Sequence, residues 1–498
     1  HLHTINPAMI ISTRRLIGHL ITLSYLQTML LAMTEPRLFA LTTLFSACFC
    51  SSNFSFQNVT IKWTLQTHQY VTPGKPTNNL KELFPENGVT DGLTTVFING
   101  SVNTLYQNSV TDMPDLASLD MTAVNLQKIE PGAFKKLPVL SHLDFGENSL
   151  EEIHSGTFAD LQSCHYINVS SNQISVLEVG AFRNLSNLSR LYLSKNKIDK
   201  VERGVFDNVT VRILDLSQNV VSKLENGFLD NVLPVRGLNV YLVLSDNKLE
   251  EVNPRVFNHS YITHLYLANN SVSSLRLGDF QNLPKLEYLQ LRGNKLENIE
   301  GVFNNLQLIN LDLSHNEISF IASDAFRNMT KLRIVRLNHN KIKFWDNNWF
   351  QDSEAITTIF ASNNLIGELP EKAFKNYQNT FSIDLAANRI ENINDLAFYN
   401  PERGFTRLHY LILRDNLIQK WNKFLLVNRA NITVYGIDLR KNKLECFQGS
   451  VNDNFGKVEV VWLSDNAFGA SCRIEIEQYV DKHKAYHTPE ELEEEMIY

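Results

Sequence analysis

Five aspartates, Asp144, Asp215, Asp312, Asp384 and Asp438, recur along the chain in one local context. Carboxylates in pairs are the usual equipment of general acid–base catalysis. Here each sits in the outward slot of a repeated apolar phrase, as in Leu143-Asp144-Phe145 and Leu311-Asp312-Leu313. The expected role is therefore support of the backbone rather than proton transfer. Asp481, His483 and His487 have a loose metal-ligand spacing but no fourth partner, so no metal site is expected. A phosphate-cradling glycine loop, a nucleophile elbow and an HExxH sequence are all absent from the sequence. These observations point away from an enzyme and from a bound cofactor.

The chemistry that remains is recognition. Tyr166, Tyr192, Tyr241, His264, Tyr266 and Tyr288, with His165, fall at outward positions from the fourth to the ninth repeat. Only the sixth repeat interrupts them, with Arg212, Ile213 and Asp215. Tyrosine buries a large area while keeping a polar handle, which suits a protein contact. Beyond this run, Arg292, Arg333 and Arg336 join His315 and His339 in a basic stretch suited to an anionic glycan or an acidic protein patch.

The elements that must position these side chains are read from periodicity. The spacing LxxLxLxxNxL recurs sixteen times, at about 24 residues per unit, the period of a leucine-rich-repeat solenoid. One unit runs Leu188, Leu191, Leu193, Asn196, Ile198, Val201 and Phe206. The asparagines are Asn148, Asn172, Asn196, Asn219, Asn247, Asn270, Asn294, Asn316, Asn340, Asn364, Asn388, Asn416, Asn442 and Asn466; the first two units carry Ser101 and Val124 instead. The alternating part of each unit predicts a short strand with leucines inward and the variable positions outward. The first strand is expected near Leu93 and the last near Val458. The asparagine is expected to satisfy backbone groups where the chain turns inward.

A second ladder of Phe134, Phe158, Phe182, Phe206, Phe228, Phe257, Phe280, Phe303, Phe326, Phe350, Phe374 and Phe398 predicts a buried spine under the convex side. The gaps from Asn219 to Asn247 and from Asn388 to Asn416 are both 28 residues, and that from Asn416 to Asn442 is 26. The extra chain, near Leu229 to Arg236 and Asn400 to Gly404, reads as surface loops. The fold class is thus an α/β repeat, a leucine-rich-repeat horseshoe of about 16 coils with a parallel sheet on its concave face.

The unit LxxLxLxxNxLxxLxxxxFxxL resembles the typical class of extracellular animal leucine-rich repeats. That class includes Toll-type receptor ectodomains, chaoptin-like adhesion proteins and secreted insect immune proteins. The resemblance covers roughly Leu93 to Cys472. It implies an extracellular binding scaffold and leaves the ligand open. The cysteine cluster that such proteins carry at the N-terminal cap is missing here.

The ends and the composition bound the rest. The chain opens on a histidine, and the initiator is sought at Met33 or at Met9. From Met33, Leu38 to Cys48 behind Arg37 reads as a cleavable secretory signal; from Met9, Leu16 to Met33 behind Arg14 and Arg15 reads as a signal anchor. The expected division is residues 1–50 as extension and signal peptide, 51–92 as N-terminal cap, 93–472 as solenoid and 473–498 as an acidic tail. Within that tail, Thr488, Pro489 and Glu491 form a helix-start signal. Cys446 and Cys472 flank the last coil and are expected to pair, and Cys164 occupies a first-leucine position as a small buried hydrophobe. Glycosylation is expected at Asn53, Asn58, Asn184, Asn208, Asn258 and Asn328, while the sequons at Asn168 and Asn269 lie on or beside the concave strands. A net charge of −7 argues against nucleic acid as partner. The expected function is that of a secreted, non-catalytic protein, without a membrane span in its mature form, that binds an extracellular protein through its concave face in innate immunity or cell signalling. A glycoprotein or anionic glycan is the other ligand class. A structural adhesion or matrix protein that self-associates as a homo-oligomer is the alternative.

Overall fold

A computed structural model describes residues 55–56, 59–65, 68–73, 77–83, 94–257, 261–374, 381–398, 407–421, 433–456 and 458–482. The expected signal segment, Leu93, Asn53, Asn58, Asn258, the insertion at Asn400 to Gly404, His483, His487 and the helix start at Thr488 lie outside the described residues.

Alternating apolar positions in each repeat make a strand, and the strands stack into one sheet of 18. In chain order they are β1 (Thr60–Leu65), β2 (His68–Pro73), β3 (Thr94–Asn99), β4 (Leu116–Asp120), β5 (His142–Asp144), β6 (Tyr166–Asn168), β7 (Arg190–Tyr192), β8 (Ile213–Asp215) and β9 (Tyr241–Val243). They continue as β10 (His264–Tyr266), β11 (Tyr288–Gln290), β12 (Asn310–Asp312), β13 (Ile334–Arg336), β14 (Thr358–Phe360), β15 (Phe381–Asp384), β16 (Arg407–Ile412), β17 (Thr433–Asp438) and β18 (Val458–Trp462). From β3 onward every neighbour is parallel, giving one strand for each of the sixteen coils read from the sequence. β1 closes the N-terminal edge by pairing antiparallel with both β2 and β3. Such a hairpin satisfies an edge that would otherwise present unpaired backbone groups.

The middle residue of each short strand faces the interior: Leu143, Ile167, Leu191, Leu265, Leu289 and Leu311 are fully buried. Each repeat asparagine then bridges two coils. The Asn196 amide donates to Val169 O at 3.0 Å in the preceding coil and to Leu193 O at 3.0 Å in its own, while its Oδ1 accepts from Ile174 N at 3.0 Å. The same pattern runs from Asn148 to Asn466. The residue before each asparagine has a left-handed backbone, including Lys195, His315 and His339, and Gly293 where the strain is absent.

On the convex side the phenylalanines are buried and their rings stack between coils, at 5.3 Å for Phe158–Phe182, 6.2 Å for Phe303–Phe326 and 4.9 Å for Phe374–Phe398. Helices are scarce in the described repeats; the convex side is built from turns, a 3-10 segment at Pro254–Phe257 and two-residue strands such as Glu152–Ile153 paired with Val176–Leu177. The expected loop at Leu229 to Arg236 is partly a strand. Val232–Pro234 extends a four-stranded convex sheet by pairing parallel with Val209–Val211. Parallel pairing satisfies backbone groups, and Pro234 is tolerated as the end residue of an edge strand.

At the C-terminal end, α1 (Val451–Phe455) starts at Ser450, whose hydroxyl accepts from Asp453 N in a reciprocal capping box. α2 (Ala470–Lys482) follows the last coil and crosses the expected boundary at residue 472. Tyr479 Oη donates to Phe455 O at 3.0 Å, and Cys446 is bonded to Cys472 with Cα atoms 5.8 Å apart. Helices here cover apolar side chains that have no further coil to stack on. Among the described residues, no helix is long and apolar enough to cross a membrane.

Candidate binding face

In each concave strand the residues flanking the buried one point outward, so the register sets two parallel columns. The first contains His142, Tyr166, Arg190, Ile213, Tyr241, His264 and Tyr288; the second contains Asp144, Asn168, Tyr192, Asp215, Val243, Tyr266 and Gln290. The expected contact residues therefore belong to two columns, and their rings fall into two groups. His142, Tyr166 and Tyr192 form the first, with centroids 5.6 and 5.5 Å apart. Tyr241, His264, Tyr288 and Tyr266 form the second, at 4.3, 5.6 and 5.1 Å in that order. The sixth coil separates them, and its Arg212 guanidinium lies 5.9 Å from the Tyr241 centroid. His142 joins the first group in place of His165, whose Nδ1 is turned to Ser163 O at 2.7 Å.

Half-burial acts on the ionisation of several of these rings. Burial, reinforced by Asp144, pushes the Tyr166 phenol up to about 12. Burial and the neighbouring tyrosines push Tyr266 up to about 12, and burial also raises Tyr288. Loss of solvent lowers the His142 and His264 imidazoles. At neutral pH the strip thus presents uncharged rings with hydroxyls free to donate or accept.

The cations of the next three coils do not form one patch. Arg336, in the second column, donates to Asn310 Oδ1 at 2.8 Å and lies 5.3 Å from the Phe360 centroid. Arg292 stands on the rim beyond the strands, near the stacked pair His315–His339 at 4.1 Å. Arg333 sits one residue before β13, on the opposite rim.

The repeated aspartates brace the turn after each strand. Asp215 Oδ1 accepts from Ser217 N at 2.9 Å and Ser217 Oγ at 2.6 Å, and Asp312 does the same with Ser314. Asp144 also accepts from the Asn168 amide at 2.9 Å. The convex sequon residues lie in a short amide ladder: Asn184 donates to Asp160 Oδ1 at 2.8 Å, Asn208 to Asn184 Oδ1 at 3.1 Å and Asn328 to Asn305 Oδ1 at 2.9 Å. Cys164 is buried, and burial drives its thiol up to about 12. Among the described residues no cluster of three His, Cys, Asp or Glu side chains is placed to hold a metal ion.

One outward feature escapes the sequence reading. Ala386, Tyr410 and Ile412, with Phe360, Tyr435 and Trp462 packed against them, form a second apolar cluster on the last concave strands. Gly436 makes it possible, because a Cβ there would stand 2.7 Å from the Tyr410 ring and 3.1 Å from Trp462. The available signal was an aromatic or branched residue in the slot that aspartate holds elsewhere, at Phe360, Ile412 and Trp462, with a glycine inside a strand.

Comparison with known proteins agrees with this architecture. The sequence matches the family described as Leucine rich repeat over residues 114–174, 162–221, 240–296 and 306–366. The chain folds as a leucine-rich-repeat solenoid. In fold it resembles Toll-type ectodomains and immune leucine-rich-repeat proteins. The Drosophila Toll–Spatzle complex, in its glycosylated form, is 21% identical over 77% of this chain and 55% of that one, with a TM-score of 0.58. The LRIM1/APL1C complex is 18% identical over 74% of this chain and 64% of that one, at 0.54, and the APL1 leucine-rich-repeat domain is 20% identical over 68% and 83%, at 0.52. The chain spans about half the length of the Toll chain it matches. No curated protein matches the sequence.

Proposed function

We infer that the protein is a secreted, non-catalytic binding protein that holds an extracellular protein ligand along its concave sheet, in innate immunity or cell signalling. The observation that carries this reading is the group Tyr241, His264, Tyr266 and Tyr288, whose rings meet at 4.3 to 5.6 Å across three strands. Adjacent, uncharged and half-buried rings lose little conformational freedom on contact and bury a large area, which is the character of an interface hot spot. Arg292, Arg333 and Arg336, at three separate places on the coils that follow, each offer a charge-assisted donor to an acidic group of the ligand. The relatives in fold fit a protein partner: Toll is seen with Spatzle, described as a hub in development and innate immunity, and LRIM1 with APL1C.

Replacing Tyr241, Tyr266 and Tyr288 together by alanine tests the reading. Their middle-strand neighbours Leu242, Leu265 and Leu289 stay buried, so thermal stability should change little. The protein captured by the wild-type chain from the source fluid should bind the variant more weakly by over about 2 kcal/mol, roughly thirtyfold. An unchanged calorimetric affinity would remove the aromatic group from the interface.

A further inference from the structure

The extra chain between Asn219 and Asn247 builds a surface that the concave reading leaves unused. Val232–Pro234 pairs back on Val209–Val211 of the sixth coil and is the last strand of its convex sheet. Its Leu233 is exposed, as are Leu238 on the same insertion and Tyr261 in the next coil. Single exposed apolar side chains are ordinary, but two of these also line a crevice. Leu233 and Tyr261 enclose about 20 Å³ together with Val211, Leu229, Val232 and Tyr241, and every other lining residue is aliphatic or proline. A water held in such a space needs several polar partners, and this lining offers few. The crevice therefore suits the tip of an aliphatic side chain. Tyr241 belongs to both surfaces, since its ring also meets His264 at 4.3 Å in the concave group. The proposed contact face thus continues over the rim where β9 begins.

The charge around the crevice is one-sided. The Arg212 guanidinium lies 5.9 Å from the Tyr241 centroid, and its Nε is buried without a hydrogen-bond partner. Lys285 Nζ lies 5.1 Å over the Tyr261 ring, and Arg236 is exposed on the insertion itself. Among the described residues none of these three cations forms an ion pair. The acids nearby are mostly engaged. Asp230 is bound to Arg203 at 3.0 Å, and Asp207, next to the spine residue Phe206, accepts from the Asn231 amide at 2.8 Å. Asp215 braces its own turn on the far side of the buried Leu214. Glu287, beside Tyr288, is directed at the concave group, where it acts on His264. An apolar notch bordered by unpaired cations fits an aliphatic side chain with carboxylates beside it.

We propose that residues 229–239 are a second contact element for the protein ligand of the concave sheet. The crevice receives one aliphatic side chain of the partner, and Arg212, Arg236 and Lys285 take carboxylates that flank it. This rests on the concave reading, because Tyr241 joins the two surfaces. An insertion that pairs only backwards leaves its outer edge open for such a contact.

A displayed library of random dodecapeptides, selected on the full chain, tests the site with a defined probe. The expected survivors carry an aliphatic residue next to aspartate or glutamate. They should bind at least tenfold more weakly to a Leu233→Ser, Leu238→Ser variant and, separately, to an Arg236→Gln, Lys285→Gln variant. All four side chains are exposed, so both variants should melt at the wild-type temperature. A selection that yields no such peptides, or peptides that bind either variant as they bind the wild type, overturns the proposal. A Tyr266→Ala, Tyr288→Ala variant, which leaves the crevice lining intact, separates this failure from that of the concave reading. Peptides weakened by the tyrosine variant alone keep the concave group and remove the insertion from the interface. Peptides weakened by the insertion variants alone support the crevice and count against the concave group.

Discussion

At the scale of single residues, the repeat asparagine does the work that decides the fold. Asn270 donates to Leu244 O at 3.0 Å and to Leu267 O and Ala268 O at 3.2 Å, and accepts from Leu249 N at 3.0 Å, all in buried surroundings. An Asn270→Ala change leaves these backbone groups without partners or water. The expected loss is about 1–3 kcal/mol, read as a lowered urea midpoint with unchanged slope; a midpoint equal to wild type would deny the ladder its role. This residue was legible in the sequence because no other side chain supplies both donor and acceptor in that space. The left-handed residue before it was not legible, since Glu147, Ser171, Lys195 and Gln218 share that conformation with no common chemistry. Hydrogen bonds on both sides impose it. His315 and His339 occupy this same position and stack at 4.1 Å. Burial, then His339 and Arg292, hold His315 below its ordinary value, against a weaker opposite pull from Asp312. The unfolded chain therefore takes up this proton first, so the contribution is intact above the usual histidine range and is lost as pH falls through it. Between pH 7 and 5 the wild-type melting temperature should fall more steeply than that of His339→Asn, which removes one repelling cation. Parallel curves would show that the pair is not coupled to folding.

At the scale of elements, each coil is stable only through its neighbours. Phe303 is fully buried, with Phe280 at 6.0 Å on one side and Phe326 at 6.2 Å on the other. Phe303→Ala should cost about 3–5 kcal/mol by leaving a cavity between stacked rings. Because coupling in a solenoid passes from coil to coil, the damage should be graded along the chain. Amide exchange is expected to quicken in the coils holding Phe280, Phe303 and Phe326 and to stay at wild-type rates around β5 and β6. Uniform acceleration would mean that the array unfolds as one unit. The spine and the strands were legible because period and apolar pattern agree. The Val232–Pro234 strand was not, since an insertion shifts the period and its pairing depends on Val209–Val211 in the previous coil. The tyrosine positions followed from strand alternation alone. The apolar cluster around Tyr410 depended instead on what Gly436 leaves empty, a space that appears only when adjacent strands are set in register.

At the scale of the whole repeat array, the difficulty is the two open ends of a continuous core. At the N-terminal end β1 pairs with both β2 and β3, and Phe56 is buried. At the other end, Trp421, Phe447, Phe455 and Phe468 pack in a chain of ring contacts at 5.2 to 5.7 Å beneath α1 and α2. Beyond β18 this stack has no further coil to meet, so the helices must be held down. Tyr479 ties α2 to Phe455 O, and the Cys446–Cys472 bond joins α2 to the turn after the penultimate strand, across a separation of 26 residues. A cross-link of that span removes unfolded-chain entropy worth on the order of 3 kcal/mol. In a repeat array that stabilisation acts first on the end it closes, because fraying starts where a coil has only one neighbour. A Cys446→Ser, Cys472→Ser double variant should therefore lose protection from amide exchange in α2, α1 and β18 before any change reaches β12. Its thermal unfolding should broaden into an early C-terminal step followed by a main step near the wild-type temperature. If both steps shift together, or if exchange in α2 is unaltered, the packing beneath the two helices closes the core without help from the disulfide.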